Sequence, residues 1–135
     1  MRKCPFCKKG QLHRKTIQET FRYKGHKLKL AQPGEYCSVC SEGVLDAEDL
    51  RVTRKSLHDW QAGIDGFLTS DEVKAIRKKL RLTQQQAAQY FGGGANGFSR
   101  YERGETLQMR STDNLLRLLN QHPNLLAELP KSKAA

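Results

Sequence analysis

The spacing of apolar residues changes along this chain, and each change predicts an element. In Thr16-Ile17-Gln18-Glu19-Thr20-Phe21-Arg22-Tyr23, β-branched and aromatic residues interleave with polar ones. In His26-Lys27-Leu28-Lys29-Leu30 the alternation is strict, with Leu28 and Leu30 on one face and Lys27 and Lys29 on the other. A period of two residues belongs to strands. Lys24-Gly25 predicts a hairpin turn between them, and Pro33-Gly34 predicts a second reversal ahead of Glu35-Tyr36. The period lengthens from Asp46 to about Gln61, where Leu45, Leu50, Leu57 and Trp60 form a candidate helical stripe. Asp46, Glu48 and Asp49 crowd its start, where the helix dipole favours acids. This helix is expected to pack on the sheet, with Trp60 in the core or on a docking surface. The segment Gln61-Ala62-Gly63-Ile64-Asp65-Gly66 has two glycines and no regular period, and predicts a short hinge.

Beyond the hinge the pattern is helical throughout. Thr69 and Glu72 have the spacing of a capping box, and Val73, Ile76 and Leu80 then share one face. Thr83 caps a second helix, Gln84 to Phe91, in which Ala87 and Ala88 permit close approach. Gly92-Gly93-Gly94 stops it, because glycine is costly inside a helix and tolerant of positive φ in a turn. Asn96 is placed to cap a third helix, Gly97 to about Arg103. Phe98 and Tyr101 point inward there, and Asn96, Ser99, Arg100 and Arg103 point outward. Ser111-Thr112-Asp113 reads as the cap of a fourth helix carrying Leu115, Leu116, Leu118 and Leu119. Pro123 opens a fifth with Leu125, Leu126 and Leu129, and Pro130 to Ala135 reads as a frayed tail.

The fold class that follows is α+β in two domains. Residues 1–65 form a small antiparallel sheet with a helix, and residues 66–135 an all-α, five-helix domain of helix-turn-helix type. Domains this small bury little core, so the first needs a staple.

Composition supplies both a partner class and a staple. Lys and Arg number 24 against 14 Asp and Glu, a formal net charge of +10. Such a surplus favours a polyanion, although a solvated basic surface would have the same composition. No apolar run approaches the roughly 20 residues that span a bilayer. The start, Met1-Arg2-Lys3-Cys4-Pro5, lacks the apolar centre of a signal peptide. A cytoplasmic protein is therefore expected, with nucleic acid and not a membrane as the anion.

In a reducing compartment, cysteines point to metal or redox chemistry before structural disulfides. Cys4-Pro5-Phe6-Cys7 and Cys37-Ser38-Val39-Cys40 are two tight turns, each presenting two thiolates. Two such turns complete a closed tetrahedral sulfur site of the kind Zn²⁺ favours, so one structural Zn²⁺ per chain on Cys4, Cys7, Cys37 and Cys40 is expected. Two redox pairs, or four unrelated thiols, are the alternatives. Four thiolates leave zinc no open position for a water, and His13, His26 and His58 are not needed as ligands. Their positions support no catalytic arrangement, and the chain is expected to be a binding protein rather than an enzyme.

The glycine turn between two short helices supplies the second chemistry. Arg can donate twice to guanine, Asn can pair with adenine, and a recognition helix reads bases mainly through its N-terminal residues. Asn96 and Arg100, one turn apart, are the expected base-reading pair. Arg77, Lys78, Lys79, Arg81, Thr83, Gln84, Ser99 and Arg103 are the expected contacts to the DNA backbone, which position without specifying. Asn96 as a cap alone, or Arg100 paired with Glu102 or another acid, are the plainer readings. Leucine surface left over from the core would pair two copies into a homodimer on a palindromic site.

Leu82-Thr83-Gln84 with Ala87-Ala88 resembles the Xre/Cro-like helix-turn-helix family. The run Phe91-Gly92-Gly93-Gly94, Asn96 and Phe98-Ser99-Arg100-Tyr101-Glu102, joined to the two CxxC pairs and to His122-Pro123, resembles the MqsA-type (YgiT-type zinc finger) antitoxins. The resemblance covers nearly the whole chain. It implies a type II antitoxin that binds a cognate ribonuclease toxin through the zinc domain. It also implies dimerisation through the C-terminal domain and repression of the protein's own operon. The toxin so implied is an mRNA interferase of the MqsR type or another small ribonuclease. A stand-alone helix-turn-helix regulator with a structural or metal-sensing zinc module, or a thiol-disulfide enzyme using the CxxC pairs, remain the competing functions.

Overall fold

The structure is a computed structural model that describes residues 2–131. The last four residues of the expected tail, 132–135, lie outside the described residues. The elements in order are β1 (Leu12–Tyr23), β2 (His26–Cys37), β3 (Gly43–Val44), α1 (Ala47–Ile64), α2 (Ser70–Lys79), α3 (Gln84–Phe91), α4 (Gly97–Glu102), α5 (Arg110–Gln121) and a 3-10 helix, Pro123–Glu128. The three strands form one antiparallel sheet in the order β1-β2-β3. By contacts the chain divides into two compact units, Met1–Arg54 and Lys55–Ala135, with the division falling inside α1.

In the first unit, β1 and β2 pair along their full length, from Leu12 opposite Cys37 to Tyr23 opposite His26. Lys24 and Gly25 both have positive φ, 47° and 82°. That is the signature of the two-residue turn whose twist matches the flanking strands. The reversal expected at Pro33-Gly34 does not occur, and β2 runs straight through it. The reason lies in β3, which pairs only with Glu35 and Tyr36. At Pro33 one side of β2 is consequently a sheet edge, where a residue without an N–H is tolerated. Gly34 makes room instead of turning the chain, since a Cβ there would strike Leu45 Cδ2.

Helix α1 meets the sheet through polar groups. Leu50 and Val52 are exposed, contrary to the expected stripe at Leu50, while Asp49 and Thr53 are buried. Gln32 Nε2 donates to the Asp49 carbonyl at 2.8 Å, and Thr53 Oγ1 donates to Gln32 Oε1 at 2.7 Å. Tyr36 Oη donates to the Gln32 carbonyl at 3.1 Å, and Arg14 Nη1 reaches the Asp49 carboxylate at 2.6 Å. A buried amide must be bonded on both its ends, and here it is. The hinge expected over Gln61–Gly66 is helical as far as Ile64, with Ala62 buried. The chain breaks only at Gly66, φ 78°.

The second unit is built on Leu68, Val73, Ile76, Leu80, Ala87, Phe98, Tyr101, Leu116 and Leu119. Burial of each large apolar side chain contributes about 1.5–3 kcal/mol. Thr69–Glu72 and Thr83–Gln86 both close full capping boxes, which start α2 and α3. The cap expected at Ser111-Thr112-Asp113 is displaced, because α5 begins at Arg110 with Met109 in the cap position. Asp113 is fully buried and serves tertiary structure. Its carboxylate accepts from the Leu68 N–H at 2.7 Å, Gln108 Nε2 at 2.9 Å and Arg117 Nε at 2.8 Å. Among the described residues after α1 there are four α-helices, and the segment expected as a fifth is the 3-10 helix that opens at Pro123.

Candidate functional site

Two turns of the same design bring the cysteines together. In the first, Cys4 N donates to the Gly10 carbonyl at 2.9 Å and Lys8 has φ 60°. In the second, Cys37 N donates to the Glu42 carbonyl at 2.9 Å and Ser41 has φ 66°. Each turn is thus Cys-x-x-Cys, a left-handed residue, one more residue, and glycine (Gly10 or Gly43). Non-glycine residues take that conformation only where surroundings impose it.

All four Sγ atoms lie within 4.8 Å of one another. Cys4 and Cys40 are 3.7 Å apart and Cys7 and Cys37 are 3.6 Å apart. Those spacings are far beyond an S–S bond of about 2.05 Å. They match the edge, about 3.8 Å, of a tetrahedron with metal–sulfur bonds of about 2.3 Å. Backbone N–H groups aim at the sulfurs, from Gly10 to Cys7 at 3.4 Å and from Val39 and Cys40 to Cys37 at 3.3 and 3.4 Å. The Gly10 and Lys9 backbone bonds hold the Cys7 thiol down at about 6. Cys37 is lowered by the Cys40 backbone N–H and then by that of Val39. The Glu42 backbone pulls the Cys40 thiol down, but burial and the three neighbouring sulfurs push it up to about 12. Four sulfurs crowded at this spacing repel as thiolates unless a cation sits among them. The residues fit a metal ion, and among the described residues theirs is the one group of His, Cys, Asp or Glu so placed.

Gly10 completes the cradle. A Cβ there would stand 2.5 Å from Cys37 Sγ and 3.0 Å from the Val39 side chain, so the first turn lies directly against the second.

The second candidate surface is α3, the glycine turn and α4. Gly92, Gly93 and Gly94 all have positive φ, and a Cβ on Gly93 would meet the Tyr101 hydroxyl at 2.8 Å. Phe98 and Tyr101 anchor α4 inside, with the Phe98 ring 5.5 Å from Phe91 and 5.4 Å from Tyr101. Asn96 stands at the N-cap, exposed, and its side chain makes no capping bond. The plain capping role is therefore unfilled. Arg100 follows one turn later, exposed, its N–H bonded to the Asn96 carbonyl at 3.1 Å. Glu102, the acid that could have paired with it, is buried and held instead by Arg77 and Gln84.

The remaining candidates fall into two sets. Lys78 and Arg81 are exposed, and Ser99 is half-buried. The others have work within the fold. Arg77 is held by Glu102 and donates to the Leu82 carbonyl at 2.8 Å, and Lys79 Nζ donates to the Asn120 carbonyl at 2.7 Å. The Thr83 hydroxyl accepts from Gln86 N, Gln84 Nε2 donates to Glu102, and Arg103 Nε donates to the Ser99 carbonyl at 3.2 Å. Glu102, which sequence offers only as a partner for Arg100, is instead the partner of Arg77. The signal was present, since it lies four residues after Phe98 and one after Tyr101, on the inner face of α4, where an acid requires a buried partner.

Residues 1–130 match the family described as the antitoxin component of bacterial toxin-antitoxin system, MqsA. The Antitoxin MqsA of Escherichia coli (strain K12) is 38% identical over 130 residues, covering 94% of this chain and 98% of that protein.

Proposed function

This chain belongs to the MqsA family of antitoxins, and on that premise we propose that it restrains a cognate ribonuclease toxin and represses its own operon. The reading rests above all on the family match running unbroken through both the sulfur cluster and the helix pair. Residues 1–65 are the zinc- and toxin-binding domain, and residues 66–135 the DNA-binding and dimerisation domain. Cys4, Cys7, Cys37 and Cys40 hold one Zn²⁺. The ion supplies a crosslink between the two turns and no reaction chemistry, because four thiolates close its coordination.

The restrained toxin is an mRNA interferase of the MqsR type or another small ribonuclease. Operator DNA is read by Asn96 and Arg100 in the major groove, through adenine and guanine edges. Lys78, Arg81, Ser99, Arg103 and the α3 N-terminus at Thr83 and Gln84 lie toward the phosphates, with Lys79 at the rim. Arg77 is left out, because its guanidinium is spent on Glu102 and Leu82. Two copies pair through the C-terminal domain, where Leu118 and Met109 are exposed, and so match a palindrome. The protein works in the cytoplasm by binding, without catalysis. Among the described residues no helix is long and apolar enough to cross a membrane.

The test is co-expression of the tagged chain with its genomic neighbour, followed by footprinting of the promoter. A small ribonuclease should co-purify, and a protected palindrome should appear. A chain that captures no neighbour yet protects DNA would be a stand-alone regulator, and the antitoxin reading would be lost.

A further inference from the structure

Glu102 ends α4, two residues after Arg100, with its side chain only 4% exposed. Its Oε2 accepts from Arg77 Nε at 2.6 Å, and its Oε1 accepts from Arg77 Nη2 at 2.9 Å and from Gln84 Nε2 at 3.2 Å. The remaining arm of Arg77, Nη1, donates to the Leu82 carbonyl at 2.8 Å. One carboxylate therefore ties the end of α4 to α2, to the α2–α3 turn and to the first residue of α3.

A helix of six residues cannot hold its own conformation in water, and α4 lacks a side-chain cap. Its pose must come from outside. Phe98 and Tyr101 fix its depth through ring contacts, but apolar contacts are non-directional and allow a helix to roll. The two-pronged Arg77–Glu102 pair is directional and buried, and fixes roll as well as depth. Arg100 lies on the same short helix and turns with it.

We infer that Glu102, held by Arg77, is a positioning residue for sequence discrimination: it sets the roll of α4, hence the aim of Asn96 and Arg100, and orients Gln84 at the same stroke. This rests on the proposed reading of operator DNA by α4. Glu102 touches no base itself. Its removal should therefore blur the distinction between sequences while leaving nonspecific grip, which depends on exposed cations, in place.

The experiment compares the full chain with Glu102→Gln and, because a buried site can fail to fold when neutralised, with Arg77→Lys. Lysine keeps the charge and loses the fork. Dissociation constants are measured for the footprinted operator and for a scrambled duplex of equal length across a salt series. Amide hydrogen exchange is followed over Phe98–Glu102 and over α5. The expected result is operator affinity lower by about tenfold in a folded variant, with scrambled-duplex affinity within about twofold and the salt slope unchanged. Exchange should quicken in α4 and not in α5. Equal losses on both duplexes, or exchange rising throughout the unit, would mean that the pair only supports the fold. Retained operator preference in both variants overturns the inference alone. A wild-type chain with no operator preference overturns the DNA reading, and the inference with it.

Discussion

At Gly10 there is less room than a methyl group needs. Gly10→Ala places a Cβ against Cys37 Sγ and Val39, so the two cysteine turns must separate to admit it. We expect metal affinity to fall by about 10–100-fold, the usual effect of disturbing the shell around a site. Competition with a chelating dye measures it, and an unchanged affinity would show that the turns do not abut as described. At Arg100 the opposite holds, since its guanidinium has no partner among the described residues. Arg100→Ala should leave the melting temperature unchanged and weaken operator binding by roughly 1–3 kcal/mol per lost base contact, with relaxed sequence preference. Binding assays on operator variants check it. The exposure of Asn96 and Arg100 was legible from sequence, because polar residues beside an inward Phe98 and Tyr101 follow from local helical spacing. Arg77 was not legible as a structural residue, because its partner Glu102 lies across the fold, and a basic cluster at a helix end reads the same whether its members are spent or free.

Two features of the elements respond to solution conditions. The cysteine turns have few buried apolar residues to hold them, with Leu12, among the described residues, the one large side chain fully buried beside Cys4 and Cys37. Chelation, or Cys37→Ser, should therefore unfold the sheet unit while α2 to α5 persist. Circular dichroism should show lost sheet signal and retained helix signal, and a complete loss of helicity would contradict it. Acid acts on two other points. The Asp49 carboxyl is held low by the Asp46 backbone N–H and by Arg14. Asp113, which burial would raise, is brought below its usual range by Arg117, the Leu68 N–H and Gln108. Both folded pKa values lie below the unfolded value of about 3.9, so between the two the unfolded chain binds more protons. The stability these groups give is whole above about pH 5 and lost as pH falls through their folded pKa values. Denaturant midpoints should therefore drop as pH falls from about 5 to 3. Asp113→Asn should flatten the part of that profile belonging to the helical unit, and an unaltered profile would remove Asp113 from the explanation. The Thr69–Glu72 capping box, the Thr83 cap, the Lys24-Gly25 turn and the cysteine pairs were readable, since each is a local spacing. The course of β2 through Pro33-Gly34 and the polar face of α1 at Asp49 and Thr53 were not. The first depends on how far β3 extends, and the second on a single glutamine, Gln32, from another strand.

For the whole molecule, one chain carries a sulfur cluster able to hold a metal ion and a helix pair whose Asn96 and Arg100 point away from the fold. The chain also carries a formal net charge of +10. Such charge speeds encounter with any polyanion and makes affinity fall steeply with salt, but it does not choose a sequence or a toxin. In the proposed function the toxin is bound by residues 1–65 and DNA by residues 66–135, so the two activities should separate by mutation. The decisive measurement is the ribonuclease activity of the neighbouring gene's product, titrated with the zinc-loaded chain and with its Arg100→Ala variant. Both should abolish RNA cleavage at about one chain per toxin, while the variant alone loses operator selectivity. Undiminished cleavage in the presence of excess wild-type chain would contradict the antitoxin assignment directly.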